Sequence, residues 1–361
     1  MNDSFNILDD SGRLFIVGIH GTAWNNEIRE FLDELRPAGV ILFSRNIESP
    51  RQLAELNRSL QKWSWSARSD GLFIGIDQEG GRVRRLGPPY TVYPPAFELA
   101  SLNDPLGAVR EFAAVTACEL KLSGFNVDFV PVLDVLSSND DMGTTVIGDR
   151  SYGFRPDTVA LLGMEVVRSM RAAGIIPCAK HFPGHGGTLL DSHIQLPIDE
   201  RPLEVLKSRD LVPFEEAVRE GVEMIMTAHV LFSSIDHDLP ATLSPKIVEG
   251  LLRTELGYAG IIVTDDLDMA AVADKFSAGE CTVTAVNAGA DLVLICREPL
   301  RAIAARDRTA QAIQDGELPR SRVEASLRRT RLLKESYAGS FKPCSPDELE
   351  EYLNSQARSS I

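Results

Sequence analysis

Between residues 180 and 193 the chain carries Lys180-His181-Phe182-Pro183-Gly184-His185-Gly186-Gly187, followed closely by Asp191-Ser192-His193. Three histidines in so short a span raise the question of a metal site. Two imidazoles four residues apart share a face only on a helix, however, and Pro183-Gly184 between them opposes one, so no metal is expected. The alternative is a glycine-rich loop that carries an acid/base imidazole over a pocket, with Asp191 orienting His193 and setting its tautomer. A histidine satisfied within the loop is the plainer reading of the same residues. A second group, Thr264-Asp265-Asp266-Leu267-Asp268, ends the apolar run Ile261-Ile262-Val263 in carboxylates. An ionised carboxylate at such a position can attack an anomeric carbon and divide glycosyl transfer into two easier steps. Asp265 is the candidate; helix capping is the competing role for Asp266 and simple solvation for Asp268. A third set, Asp77, Arg85, Asp134, Arg150, Lys180 and His181, supplies fixed donors and acceptors suited to a hydroxyl-rich ligand. Structural ion pairing is the stronger expectation for Asp134 and for Arg82.

These residues need a scaffold that brings them together. Eight short apolar runs recur along the chain: Phe15 to Ile19, Val40 to Phe43, Leu72 to Ile76, Val127 to Val130, Ile175 to Ala179, Met224 to Ala228, Ile261 to Thr264 and Asp291 to Ile295. Each is nearly continuous rather than alternating, as parallel strands buried on both faces require, and each adjoins a helix-like stretch. Eight such units predict an α/β fold of the TIM-type (β/α)8 barrel class. In that architecture chemistry gathers at the C-terminal ends of the strands. The residues found there are Asp77-Gln78-Glu79-Gly80-Gly81-Arg82, Asp134, Lys180-His181, His229 and Asp265-Asp266. Asn103-Asp104-Pro105 predicts a helix start, Ala172-Ala173-Gly174 a helix end, and Ser345-Pro346-Asp347-Glu348 a capping box for a short terminal helix. The expected organisation is one catalytic barrel over residues 1–338 and a C-terminal helical tail over 339–361.

Composition narrows the class of partner. With 44% hydrophobic and 25% charged residues, the 361-residue chain can bury a large core. A net charge of −15 without a long Lys/Arg run makes nucleic acid an unexpected partner. No stretch of about 18 apolar residues appears, so no membrane span is expected. The N-terminal segment lacks the basic region of an export signal, and the five cysteines are scattered. Both features point to a reducing, cytoplasmic setting.

Taken in order, Gly39 to Asn46, Asp77-Gln78-Glu79-Gly80-Gly81-Arg82-Val83, Ile147-Gly148-Asp149-Arg150-Ser151, the Lys180 to Gly186 segment with Asp191-Ser192-His193, and Thr264-Asp265-Asp266-Leu267 resemble the family 3 glycoside hydrolases. The likeness is to the single-domain bacterial β-N-acetylhexosaminidase branch that acts on cell-wall fragments, and it spans roughly residues 14 to 300. It implies Asp265 as nucleophile, His193 as general acid/base paired with Asp191, and Asp77, Arg85, Arg150, Lys180 and His181 as ligands of the terminal sugar. The implied substrate is a small N-acetylglucosamine-containing carbohydrate, with no cofactor. An imidazole in place of a second carboxylate suits the task, since it both gives and takes a proton near neutral pH. Relatives that act on plain β-glucosides append a sandwich domain, for which 361 residues leave no room beside the barrel. Phosphorolysis stays open beside hydrolysis, because a neutral or cationic acid/base repels an incoming anion less than a carboxylate does. Two rival classes fit the residues less well: a Schiff-base lyase using Lys180, which would leave His181, Asp191 and Asp265 without roles, and a sugar-binding barrel without catalysis, against which the presence of Asp265, Asp191 and His193 speaks.

Overall fold

The computed structural model describes residues 5–68, 70–137, 145–188 and 195–359. Each of the eight apolar runs contributes a strand: β1 Phe15–Gly18, β2 Gly39–Ile41, β3 Phe73–Ile76, β4 Val127–Asp128, β5 Ile176–Phe182, β6 Met224–Thr227, β7 Ile261–Asp266 and β8 Leu292–Ile295. They pair in parallel in sequence order, and β8 closes on β1 through Phe15 opposite Val293 and Val17 opposite Ile295. The fold is therefore a closed eight-stranded barrel ringed by helices. A separate two-stranded pairing joins Ile198–Asp199 to Leu231–Phe232 outside the barrel.

The continuous apolar runs follow from burial on two sides. Within β1, Ile16 points into the barrel while Phe15 and Val17 face the helices, and the same alternation places Met224 and Met226 inside and Ile225 outside in β6. Interior side chains such as Phe73, Phe129, Cys178, Val263 and Leu294 fill the barrel as a packed core. The helix signals follow the sequence closely. Asp104 caps Pro105–Leu122 by accepting the Gly107 N–H at 3.0 Å. The helix Pro156–Ala173 ends on Gly174 at φ 86°, a left-handed stop that favours glycine.

The end of the chain belongs to the core. Phe341 enters the floor of the barrel, edge-on to Phe73 with ring centroids 5.6 Å apart. The terminal helix Pro346–Ser359 buries Leu349 and Leu353 in the outer core, and Asp347 and Glu350 hold Arg51 at 2.9 and 2.7 Å. No helix among the described residues is long and apolar enough to cross a membrane, and the five cysteines are all free thiols.

Phe341→Ala leaves a hole at the barrel floor, far from the strand ends that carry the polar cluster. It is expected to lower unfolding free energy by about 3–5 kcal/mol, read from urea denaturation. A loss below 1 kcal/mol would show that the floor collapses around the missing ring.

Candidate active site

The polar residues expected at the strand ends converge at the C-terminal mouth of the barrel, joined by a buried chain of charges. Lys180 Nζ donates to Asp77 at 2.8 Å and to Glu79 at 2.7 Å. Glu79 in turn receives Arg150 through Nε at 2.8 Å and Nη2 at 2.9 Å. Arg85 completes the other end, reaching Asp77 at 3.3 Å. Burial disfavours the charge on Glu79, but Arg150 and Lys180 outweigh it and hold the carboxyl well below its ordinary range. The same pairing works in reverse on Lys180, where Asp77 and Glu79 overcome burial and keep the ammonium protonated. A Schiff-base role needs the neutral amine, so this environment opposes it. Once these bonds are made, Lys180 retains one N–H; Arg150, which also donates Nη1 to the Val146 carbonyl at 3.1 Å, retains two. Those are among the donors available to a hydroxyl-bearing ligand.

Glu79 was not singled out from the sequence, although it belongs to the same segment as Asp77. Its turn supplies the signal that was available. Gly80 and Gly81 have φ of 87° and 53°, conformations that side-chain-bearing residues rarely adopt, and Glu79 N–H closes the turn onto the Val83 carbonyl at 2.9 Å. Arg82 serves the scaffold, pairing with Asp149 at 2.9 Å and donating to the Thr145, Val146 and Ile147 carbonyls.

A second buried assembly lies on β5 and the loop that follows. Asp134, fully buried, accepts His181 Nδ1 at 2.7 Å and the His185 backbone N–H at 2.6 Å. Burial opposes its ionisation, yet His181 holds it below the usual carboxylate range. The carboxylate thereby fixes the His181 ring and its tautomer, with the proton on Nδ1. His185 is different: burial and the neighbouring His181 bring it down to about 4, so it is neutral, with Nδ1 on Thr188 Oγ1 at 2.8 Å. Gly186 lets this loop lie against its neighbour, since a Cβ there would sit 2.1 Å from the Val135 carbonyl oxygen.

Two breaks in strand register fall at functional positions. Between β5 and β6 the pairing passes from Ala179 opposite Ile225 to Phe182 opposite Thr227, leaving an extra residue on β5 at Lys180-His181. Between β7 and β8 it passes from Val263 opposite Leu292 to Asp266 opposite Leu294, leaving an extra residue at Thr264-Asp265. A bulge interrupts the two-residue alternation and re-aims the side chains beside it. Asp265 lies partly accessible at the end of β7 and accepts the Asp266 N–H at 2.8 Å. Burial raises its pKa, but the neighbouring His181 and His229 reverse that effect and keep it below the ordinary value. An accessible, ionised carboxylate at the barrel mouth is the result.

The neighbouring acids do other work. Asp266 accepts the Asp268 and Cys296 N–H groups at 3.0 and 3.1 Å, tying the loop to the end of β8 rather than capping a helix. Asp268, expected to be solvated, is instead buried and paired with Arg301 at 2.8 Å, because it accepts the Arg297 N–H across the same junction. His229, noted only as a strand-end residue, bonds Thr242 at 2.8 Å and the Asp266 carbonyl at 3.0 Å, behind the carboxylate loop. Asp191 and His193 lie outside the described residues, as does the rest of 189–194. No cluster of three or more metal-ligating side chains occurs among the described residues.

Comparison with known proteins places this geometry in a family. The profile described as glycosyl hydrolase family 3 N terminal domain matches residues 8–333. A beta-hexosaminidase of Xylella fastidiosa strain 9a5c is 36% identical over 292 residues, covering 80% of this chain and 84% of that one. Among solved structures, a family 3 beta-N-acetylglucosaminidase from Paenibacillus sp. str. FPU-7 superposes with a TM-score of 0.89 at 40% identity over 93% of this chain. This chain spans 63% of that enzyme's length. A family 3 glycosyl hydrolase from Mycobacterium smegmatis str. MC2 155 aligns with a TM-score of 0.82 at 31% identity, over 91% of this chain and 97% of that one.

Glu79→Gln keeps the shape of the side chain but leaves Arg150 and Lys180 buried with one carboxylate fewer. It is expected to cost about 3–5 kcal/mol of stability, measured by chemical denaturation; an unchanged midpoint would mean that water neutralises the site. Asp266 supplies a pH test. Burial, with Asp268 and Asp265 nearby, pushes its carboxyl up to about 7. Between about pH 4 and 7 the folded state therefore holds a proton that the unfolded state has lost, and stability falls as pH rises through that window. Thermal scans should show wild type losing ground to Asp266→Asn from pH 4 to 7 and running parallel above it, whereas a constant offset at every pH would contradict the assignment.

Proposed function

The chain belongs to glycosyl hydrolase family 3 and is a glycoside hydrolase, and from that membership we propose that it is a retaining exo-β-N-acetylglucosaminidase. The observation that carries the mechanism is Asp265, an accessible carboxylate kept ionised at the mouth of the barrel by His181 and His229 despite burial. Asp77, Arg85, Arg150, Lys180 and His181 hold the hydroxyls of the terminal sugar in front of it. Their pairing through Asp77, Glu79 and Asp134 means that they are already oriented before the sugar arrives, which reduces the ordering cost of binding.

In the first step Asp265 attacks the anomeric carbon. The new carbon–oxygen ester bond forms as the glycosidic bond breaks, and His193 protonates the departing oxygen. In the second step water adds at the same carbon with its proton passing to His193, and the ester bond to Asp265 is cleaved. Two displacements return the original anomeric configuration. Asp191 stabilises the imidazolium, which is present before the first step and is restored in the second. The preference for an acetamido sugar is supported by the names of the Xylella and Paenibacillus relatives. Peptidoglycan fragments are the proposed source of that sugar. Because the chain carries a charge of −15, an anionic muropeptide must be met by local cations such as Arg85, Arg150 and Lys180. The proposed compartment is the cytoplasm, where free thiols persist.

The test is release of nitrophenol from 4-nitrophenyl N-acetyl-β-D-glucosaminide and from the matching glucoside, with and without phosphate. The acetamido substrate should be turned over faster, with free sugar of retained configuration as the product. Asp265→Ala should lower kcat by more than about 10³-fold. His193→Ala should lose about 10²-fold or more on poor leaving groups while largely sparing the nitrophenyl glycoside. Substantial activity in Asp265→Ala would overturn the nucleophile, and sugar 1-phosphate as the main product would make the enzyme a phosphorylase.

A further inference from the structure

A cavity of about 1160 Å³ lies at the opposite end of the barrel from the proposed active site. Its walls come from the segments that lead into the first three strands, through Arg13, Ala38, Arg68 and Asp70, and from the last barrel helix, Arg320–Ser336, through Thr330 and Lys334. Although the chain is strongly acidic, this cavity is lined by seven Arg or Lys side chains against five Asp or Glu. Most carboxylates on its wall are spoken for: Asp9 pairs with Arg36 at 3.4 Å, Asp10 accepts the Asn6 N–H at 2.9 Å, Glu324 pairs with Arg320 at 2.8 Å and Glu335 lies 3.7 Å from Arg331.

The inner cations have few carboxylate partners, although Arg68 Nη1 donates to the Pro37 carbonyl and Lys334 Nζ lies 5.0 Å over the Phe73 ring. Lys334 Nζ and Arg68 Nη2 share one carboxylate oxygen, Asp70 Oδ2, at 3.0 and 3.2 Å. Arg68 Nε, Arg13 Nε and Thr330 Oγ1 are buried without any hydrogen-bond partner among the described residues. The residues that carry these atoms line the cavity, and each buried unmade hydrogen bond costs about 1–3 kcal/mol. Electrostatics agree with the geometry. Burial and then the Arg68 and Arg13 charges outweigh Asp70 and push the Lys334 ammonium down to about 7. An anion in the cavity would offset this excess of positive charge.

We propose that this cavity is a second ligand site, which binds a phosphoryl anion through Arg13, Arg68, Thr330 and Lys334. Arg13 and Arg68, joined by Lys334 when it is protonated, face the single carboxylate of Asp70, an excess of positive charge that suits a phosphoryl anion. A tetrahedral group with several terminal oxygens can meet donors arriving from different walls, which a planar carboxylate does less well. The phosphate is either free or part of an ester, and the surroundings admit an organic body: Phe5, Trp65 and Leu327 also line the cavity. The site is separate from the sugar pocket, so its occupant acts as a bound cofactor anion or effector and not as a glycosyl acceptor.

Isothermal titration of the full-length protein with inorganic phosphate, and separately with phenyl phosphate, against a chloride background of equal ionic strength tests this. Saturable binding is expected, unaffected by saturating N-acetylglucosamine. Arg13→Gln should weaken it by about tenfold or more, the equivalent of about 1.4 kcal/mol, and Thr330→Val should weaken it more mildly, with hydrolysis of the nitrophenyl glycoside unchanged in both. Tighter binding of phenyl phosphate would identify an ester as the ligand, and equal or weaker binding would identify the free ion. Three outcomes overturn the proposal: no saturable binding, binding displaced by N-acetylglucosamine, or binding that neither substitution alters.

Discussion

The constraint on which the active end of this barrel depends is the burial of four charged side chains in one chain, Asp77 to Lys180 to Glu79 to Arg150. Four such groups, from the ends of β3 and β5 and the segment around Arg150, can leave water only together, because any one of them alone would be an uncompensated charge in a medium of low polarity. Their pairing draws the ends of β3 and β5 to the segment around Arg150 and leaves a few N–H groups directed into the mouth. The stability of the loops and the readiness of the pocket for a sugar thus have one physical origin.

Asp265 depends on the same economy. A carboxylate at this depth would ordinarily hold its proton, and the neighbouring His181, His229 and Lys180 reverse that tendency. His181 owes its orientation to Asp134, which also receives the backbone of the following loop. The register breaks beside Lys180-His181 and Thr264-Asp265 supply the backbone side of the arrangement. Regular strands would send alternate residues into the packed interior. An additional residue near each strand end turns these side chains toward the mouth instead.

Much of this was legible in the sequence because parallel barrel strands announce themselves by composition. All eight runs lie where strands form, since burial on both faces leaves no room for polar alternation. The caps at Asp104 and Gly174 were legible for a local reason, backbone conformation and end donors being set by neighbouring residues. What escaped depends on contacts between distant segments. Glu79 looks like any turn acid until Arg150 and Lys180 are brought to it, and Asp268 looks solvated until Arg301 closes over it. The cation-rich cavity is the extreme case, with Arg13 and Lys334 brought together from opposite ends of the chain. The pairing of Asp191 with His193 rests on family resemblance, as both lie outside the described residues.

The central claim is that Asp265 forms a covalent bond to the sugar. Its most direct test is mass spectrometry of the protein after brief reaction with a fluorinated N-acetylglucosaminyl fluoride, whose electron-poor ring slows the second displacement more than the first. The account predicts a protein heavier by one sugar residue, with the label on the peptide that contains Asp265. A label on another residue, or full turnover with inverted configuration and no adduct, would contradict it.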